Sequence, residues 1–256
     1  MMTTLSQMHV QHEKTLSGTA IHGLQALPFV RHVMLLPTAH LPAGVQVWQL
    51  MLARDAAASL VTEQQYQQLL TLLAVDERAR CKRYHRLADR IRYAVMRAAL
   101  RHLIAHHLQQ PAHCIQLGLS AFGKPCLRAP AAPLQFNLSH SQQLGLIALS
   151  AQRPVGIDIE ALASTQQQRA LLSVFSPREQ AYCLQHPHAT DWTQIWTGKE
   201  AVLKALGTGL TAELTTLSVL PMATHLEVSL AETKTMQIQA WPLAVAYGYQ
   251  AALALL

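Results

Sequence analysis

The spacing of hydrophobic and polar positions changes several times along the chain, and each change marks an element. Val45–Leu52 (VQVWQLML) reads as a strand and Thr62–Leu73 as a helix. From about Asp76 to Leu108, Tyr84, Leu87, Ala88, Ile91, Ala94, Val95, Ala98 and Leu103 recur every three or four positions, which predicts one long amphipathic helix. Ile115–Leu119 follows as a strand and Gly123–Pro125 as a tight turn. Three short β-type segments come next, Leu134–Leu138, Gly145–Ser150 and Pro154–Glu160, with polar turns between them. Helices resume at Thr165–Val174, Pro177–Leu184 and Asp191–Leu206, the last stopped by Gly207. Strand patterns return near Leu217–Leu220, His225–Leu230, Met236–Trp241 and Tyr249–Leu255.

This order of elements predicts an α+β protein of two similar halves, residues 26–152 and 153–256, joined around Gln152–Arg153. No sequence repeat links the halves. Residues 1–25 are polar and patternless and are expected to form a mobile N-terminal extension. They carry neither a basic leader nor an apolar h-region, so no secretory signal is expected.

Composition narrows the classes. The chain has 256 residues, half of them hydrophobic and only 13% charged, against roughly 25% in ordinary domains, which excludes a disordered protein. No apolar run reaches the ~18 residues of a membrane span. Cys81, Cys114, Cys126 and Cys183 are widely spaced with no C-x-x-C pair, which argues against a zinc site and a disulfide framework and for a reduced, cytoplasmic protein. The formal net charge is +6, and nine of the twenty Lys and Arg residues lie between Arg78 and Arg101. A charge run is ordinarily a solvated face, but the acids there, Asp76, Glu77 and Asp89, are too few to neutralise the stretch by i,i+4 pairing, which favours an external anion more than usual.

Five further segments carry chemistry. In Val155–Glu160 (VGIDIE) a strand projects Asp158 and Glu160 to one face and Ile157 and Ile159 to the other. Paired carboxylates repel unless a cation joins them, and oxygen donors at this spacing suit Mg²⁺; a strand end with two solvated acids is the plain alternative. On the helix of Trp196–Lys204 (WTGKEAVLK), Trp196, Glu200 and Lys204 lie at i, i+4 and i+8 on one stripe. The stripe offers either an ordinary Glu–Lys pair or a third acidic ligand with a lysine set for a diphosphate. In Phe136–Ser141 (FNLSHS) a strand is expected to give way to a polar turn, where Ser139 and His140 can donate to a phosphate or be plain loop residues. Gly123-Lys124-Pro125 offers one cation on a turn. Ser176-Pro-Arg-Glu179 fits a capping box, with Ser176 at N-cap and Glu179 at N3, beside a catalytic reading of Glu179.

Together, GKP-x-L (Gly123–Leu127), F-N-x-S-H-S (Phe136–Ser141), G-I-D-I-E (Gly156–Glu160), F-S-x-x-E (Phe175–Glu179) and W-x-x-K-E-A-x-x-K (Trp196–Lys204) resemble the Sfp-type phosphopantetheinyl transferases. The upstream E-R-x-R-x-x-R-Y pattern (Glu77–Tyr84) and Arg92 extend the resemblance over roughly residues 40–256. It implies a pseudo-twofold α+β monomer with coenzyme A between its halves. The implied reaction is the Mg²⁺-dependent transfer of the phosphopantetheine arm to a serine of an apo acyl or peptidyl carrier protein, releasing adenosine 3',5'-bisphosphate. By position, Asp158, Glu160 and Glu200 would hold Mg²⁺ against the diphosphate, which Lys204 would also face. Arg80 would meet the 3'-phosphate side, while Gly123, Lys124, Pro125, Ser139 and His140, with Arg92, would complete the nucleotide contacts. Glu77 stands where some members carry a lysine, which would shift that grip to Arg78 or Arg83.

In this reading Glu200, directly or through a metal-bound water, is the candidate base, with Glu179 a second acid–base candidate. No cysteine is needed. The carrier is expected to dock near residues 160–190, through Arg169 and Arg178 and, more so, Leu171, Leu172, Val174 and Phe175. The rival reading is a nucleic-acid-binding protein using the Arg78–Arg101 stretch; only Tyr84 and Tyr93 there are aromatic, which counts against base stacking. A relative that binds coenzyme A without transfer is disfavoured by the intact set of Asp158, Glu160, Glu200 and Lys204.

Overall fold

The computed structural model describes residues 20–38, 40–53, 60–208, 212–230 and 237–256. The chain order is a helical turn at 20–25, β1 (Val30–Leu35), β2 (Val45–Leu52), α1 (Leu60–Thr71), α2 (Val75–Cys81), α3 (Leu87–His107), β3 (Gln116–Leu119), β4 (Pro125–Ala129), β5 (Gln135–Ser141), β6 (Leu144–Ser150) and β7 (Val155–Ala161). Then come α4 (Thr165–Leu171), α5 (Pro177–Gln185), α6 (Ala189–Leu206), β8 (Leu217–Pro221), β9 (Leu226–Leu230), β10 (Gln239–Pro242) and β11 (Tyr249–Leu255). This is the mixed α+β protein the sequence predicts, with two main sheets. The expected extension lies largely outside the described residues, as does Met236 of the predicted Met236–Trp241 strand. The helical turn at 20–25, β1 and β4 went unread in the sequence.

Residue contacts divide the chain into two compact units that interleave along the sequence. Among the described residues, one comprises 20–35, 49–53, 60–116 and 128–130, and is mainly α1, α2 and α3. Here the single long helix expected over Asp76–Leu108 is corrected to two. Arg86 adopts an extended conformation (φ −87°, ψ 135°) as N-cap of α3, and Arg90 Nε donates to the Tyr84 carbonyl across the turn at 2.7 Å. The break brings together charges that a continuous helix would hold apart. In one continuous helix Glu77 and Arg97 would stand about 30 Å apart. Folded back, Glu77 is 2% exposed and accepts from Arg97 and Arg101, with closest nitrogens at 2.8 and 2.6 Å. Arg101 also donates to the Ile115 carbonyl at 2.7 Å. Two of the nine clustered cations therefore point inward, and the basic face is smaller than the sequence implied.

The other unit comprises, among the described residues, 36–38, 40–48, 117–127, 131–208, 212–230 and 237–256. Its five-stranded sheet has the order β7-β11-β10-β9-β8, and β7 pairs antiparallel with β11, Asp158 opposite Ala252 and Glu160 opposite Gln250. One face of this sheet, with Ile157, Ile159, Leu253 and Leu255, packs on Val45, Val47, Leu144, Leu146 and Ala148 of β2 and β6. The opposite face packs on α6, whose Ala201, Val202 and Ala205 meet Leu217, Val219, Ala240 and Ala252. Strand alternation thus sends the isoleucines of β7 into one core and leaves Gly156, Asp158 and Glu160 toward α6.

Candidate active site

The site begins at Gly156. A Cβ there would lie 1.9 Å from the Ala201 carbonyl oxygen and 2.4 Å from the Ala205 nitrogen, so only glycine lets the α6 backbone come this close to β7. Close approach brings α6 residues over Asp158. Between Trp192 and Ala205, only Trp196, Glu200 and Lys204 are not fully buried, and they form the stripe the spacing predicted. Lys204 Nζ donates to Asp158 Oδ1 at 2.6 Å.

The acids are supported from the β5 side. Asn137, Ser139 and Ser141 share one face of β5 and reach β7 with side chains. Asn137 Oδ1 accepts from Ile157 N at 3.0 Å, and Ser139 Oγ donates to Asp158 Oδ1 at 2.7 Å. Ser141 Oγ donates to Glu160 Oε2 at 2.9 Å. The polar turn expected at Ser139–Ser141 is corrected: β5 continues through Ser141, and the turn falls at Gln142–Gln143, with Gln142 at φ 50°. Ser139 is buried and its hydroxyl proton goes to Asp158 rather than outward. His140, half-buried, follows the alternation to the other face of β5.

Electrostatically the cluster is acidic and poorly solvated. Burial, reinforced by Asp158, pushes the Glu160 carboxyl up, against the Ser141 hydrogen bond and Lys204. Burial also pushes Glu200 up, opposed by Lys204 and reinforced by Asp158 and Glu160. Asp158 Oδ2 and Glu200 Oε1 are buried with no hydrogen-bond partner in the protein. Such unpaired acceptors are costly, and they fit an oxygen-seeking cation. Among the described residues no group of three or more His, Cys, Asp or Glu side chains is arranged to hold a metal ion by itself.

The other expected residues fall in different settings. Lys124 follows Gly123 (φ 80°) and precedes Pro125 at the start of β4; its Nζ donates to the carbonyls of Val155 (3.0 Å) and Ala205 (3.4 Å), and burial lowers its pKa to about 8. Arg80 and Arg92 belong to the helical unit, Arg80 lying 6.0 Å from the Tyr93 ring centre and Arg92 paired with Asp89 at 3.1 Å. Glu179 is fully buried as the N3 residue of the capping box. Its Oε2 accepts from Ser176 N (2.7 Å) and Lys199 Nζ (2.6 Å), and its Oε1 from Val219 N (2.7 Å). Its carboxylate is spent inside the fold, which favours the structural reading over acid–base work. Phe175, expected at a docking face, is instead core, packed with Trp192, Cys183 and Ile195.

Sequence reasoning gave no role to Gly156, Ser141 or Lys199. Ser141 was legible as i+2 from Ser139 on a strand. Lys199 was legible as a cation at i+4 from Ile195 and i−3 from Val202, on the buried face of its helix.

Residues 154–254 match the model of the 4'-phosphopantetheinyl transferase superfamily, and residues 47–152 match that of the 4'-phosphopantetheinyl transferase N-terminal region. The chain is 33% identical over 186 residues to the 4'-phosphopantetheinyl transferase HetI of Nostoc sp., covering 70% of this chain and 74% of the relative. It is 37% identical over 149 residues to a putative 4'-phosphopantetheinyl transferase of Synechocystis sp., slr0495, covering 56% and 60%. With the 4'-phosphopantetheinyl transferase Sfp of Bacillus subtilis it shares 28% identity over 163 residues, covering 62% and 71%. The chain belongs to the 4'-phosphopantetheinyl transferase superfamily.

Proposed function

We propose that this chain transfers the 4'-phosphopantetheine arm of coenzyme A to a serine hydroxyl of an apo acyl or peptidyl carrier protein, releasing adenosine 3',5'-bisphosphate. The observation that carries the reading is the buried, unpartnered pair of acceptors, Asp158 Oδ2 and Glu200 Oε1, beside Lys204. Asp158, Glu160 and Glu200 would hold Mg²⁺. When bound, the ion would draw charge from the diphosphate and favour its cleavage.

The rest of the chemistry belongs to the chain. Lys204 sets a fixed positive charge where the diphosphate would lie, and a charge preorganised in a poorly solvated site opposes the build-up on the departing bisphosphate. Glu200, directly or through a metal-bound water, is the group placed to take the serine proton. The serine oxygen bonds to the phosphorus that carries pantetheine, the bond from that phosphorus to the bridging oxygen breaks, and the proton passes to Glu200. On the family resemblance Gly123, Lys124, Pro125 and His140, with Arg80 and Arg92, are assigned to the nucleotide, while Ser139, whose proton goes to Asp158, supports that acid instead. The protein is read as a cytoplasmic monomer on the family resemblance. Among the described residues no helix is long and apolar enough to cross a membrane. The nucleic-acid reading gains no support, since Arg97 and Arg101 are turned inward onto Glu77.

The test is intact mass. Apo carrier, coenzyme A and Mg²⁺ should give a carrier heavier by one phosphopantetheine, and Asp158→Ala should abolish the gain. No gain on any of several apo carriers overturns the function; unchanged turnover in Asp158→Ala overturns the site. Glu200→Gln should slow transfer by about 10²–10⁴-fold, the usual contribution of a positioned base.

A further inference from the structure

We propose that Ser141 is a positioning residue that fixes the Glu160 carboxylate as a donor for the divalent cation, an inference that rests on the reading of Asp158, Glu160 and Glu200 as cation ligands. The argument starts from β5. Its backbone ladder goes to β6, with Ser139 opposite Leu146 and Ser141 opposite Leu144. Toward β7 it therefore works through side chains, and its period of two presents Asn137, Ser139 and Ser141 in turn.

Each of the three has a distinct partner. Asn137 takes a backbone N–H, Ser139 serves Asp158, and Ser141 does both jobs at once. Its Oγ accepts from Ala161 N at 3.1 Å and donates to Glu160 Oε2 at 2.9 Å. A hydroxyl has one proton to give. With the Ala161 N–H occupying a lone pair, that proton is directed at Glu160. The anchor is the peptide nitrogen immediately after Glu160, so hydroxyl and carboxylate are fixed to the same short stretch of β7.

This clamp has work to do. Asp158 and Glu160 are two residues apart on one strand face, about 7 Å along the chain. Their like charges repel, and Glu160, half-buried with three rotatable bonds, has freedom to swing away. The hydrogen bond from Ser141 opposes that movement and leaves Oε1 open to a ligand.

The test is cation titration by calorimetry on the full chain, with Mg²⁺ and with Mn²⁺, without coenzyme A or carrier. Ser141→Ala should weaken cation binding by about tenfold, the lower range for loss of an outer-shell partner. Ser141→Thr, which keeps the hydroxyl and suits a strand, should restore it. In the transfer assay the half-saturating Mg²⁺ concentration should rise by the same factor in Ser141→Ala and return in Ser141→Thr. Unchanged affinity in Ser141→Ala overturns the inference, as does an equal loss in Ser141→Thr, which would mark a packing effect. If wild-type protein binds the cation and Asp158→Asn does not, either outcome bears on Ser141 alone. If wild-type protein binds neither cation, the metal reading and this inference fall together.

Discussion

Lys199 stands beside Glu200 in sequence but on the buried side of α6, and its replacement by methionine is the sharpest test of how the helix is held. Lys199 and Glu179 both have fully buried side chains, with Nζ 2.6 Å from Oε2. Lys199 also donates to the Leu217 carbonyl, tying α6 to β8. Burial pushes the Glu179 carboxyl up and the Lys199 ammonium down, while the ion pair opposes both shifts. Lys199→Met keeps the length and removes the charge. It leaves the Leu217 carbonyl without this donor, at about 1–3 kcal/mol, and Glu179 as a buried charge without its cation. Breaking such a pair costs about 3–5 kcal/mol in all. At about 2–4 °C per kcal/mol for a chain of this size, the melting temperature should fall by about 6–20 °C. The loss should depend on pH. Burial already holds Glu179 above its ordinary 4.5 in the wild-type fold, and in the variant, with the lowering contributions of Lys199 gone, it is raised further. A raised acid contributes stability below its unfolded value and loses it as pH rises through the folded value. The gap between variant and wild type should therefore narrow toward the ordinary Glu value of 4.5 and widen as pH rises above it. Urea denaturation of both proteins at several pH values measures it. A cost under about 1 kcal/mol, or a gap that does not change with pH, would refute the assignment of a charged, stabilising pair.

Three other outcomes follow from the packing. Gly156→Ala places a methyl on the α6 backbone, which cannot yield as a flexible side chain would. It should cost at least the ~1–3 kcal/mol typical of overpacking and depress transfer by moving Glu200 and Lys204 off Asp158; wild-type melting and turnover together would contradict the close contact. Glu77→Ala leaves Arg97 and Arg101 buried without their anion and should destabilise by about 3–5 kcal/mol in urea denaturation, where a surface acid would cost under about 0.5. His102 is lowered by burial, then by His106, against a hydrogen bond to Ala20, so the folded chain favours the neutral ring. Its stability contribution is complete above the ordinary value of 6.5 and is lost as pH falls toward the folded value. Melting temperature should drop on acidification through that range, less steeply in His102→Gln; identical slopes would show that His102 does not carry the effect.

The sequence by itself determined the local half of this protein. Alternation on Val155–Glu160 placed two carboxylates on one face, and the 3.6-residue period placed Trp196, Glu200 and Lys204 on one stripe. The S-P-R-E spacing gave the capping box, and the ordered motifs gave the family. All of these are relations between residues a few positions apart, where backbone geometry alone fixes which side chains share a face. Tertiary structure decided the partners. Ser139 and Asp158 are 19 residues apart, and Lys204 and Asp158 are 46 apart. No period in the sequence links them; the β5–β7 approach and the missing Cβ of Gly156 do. The same holds for the basic stretch. Periodicity continued it as one helix with too few acids, because the pairing that neutralises part of it lies across a fold-back. A charge removed from water must be met by a counterion, and only the tertiary fold brings Arg97 and Arg101 to Glu77.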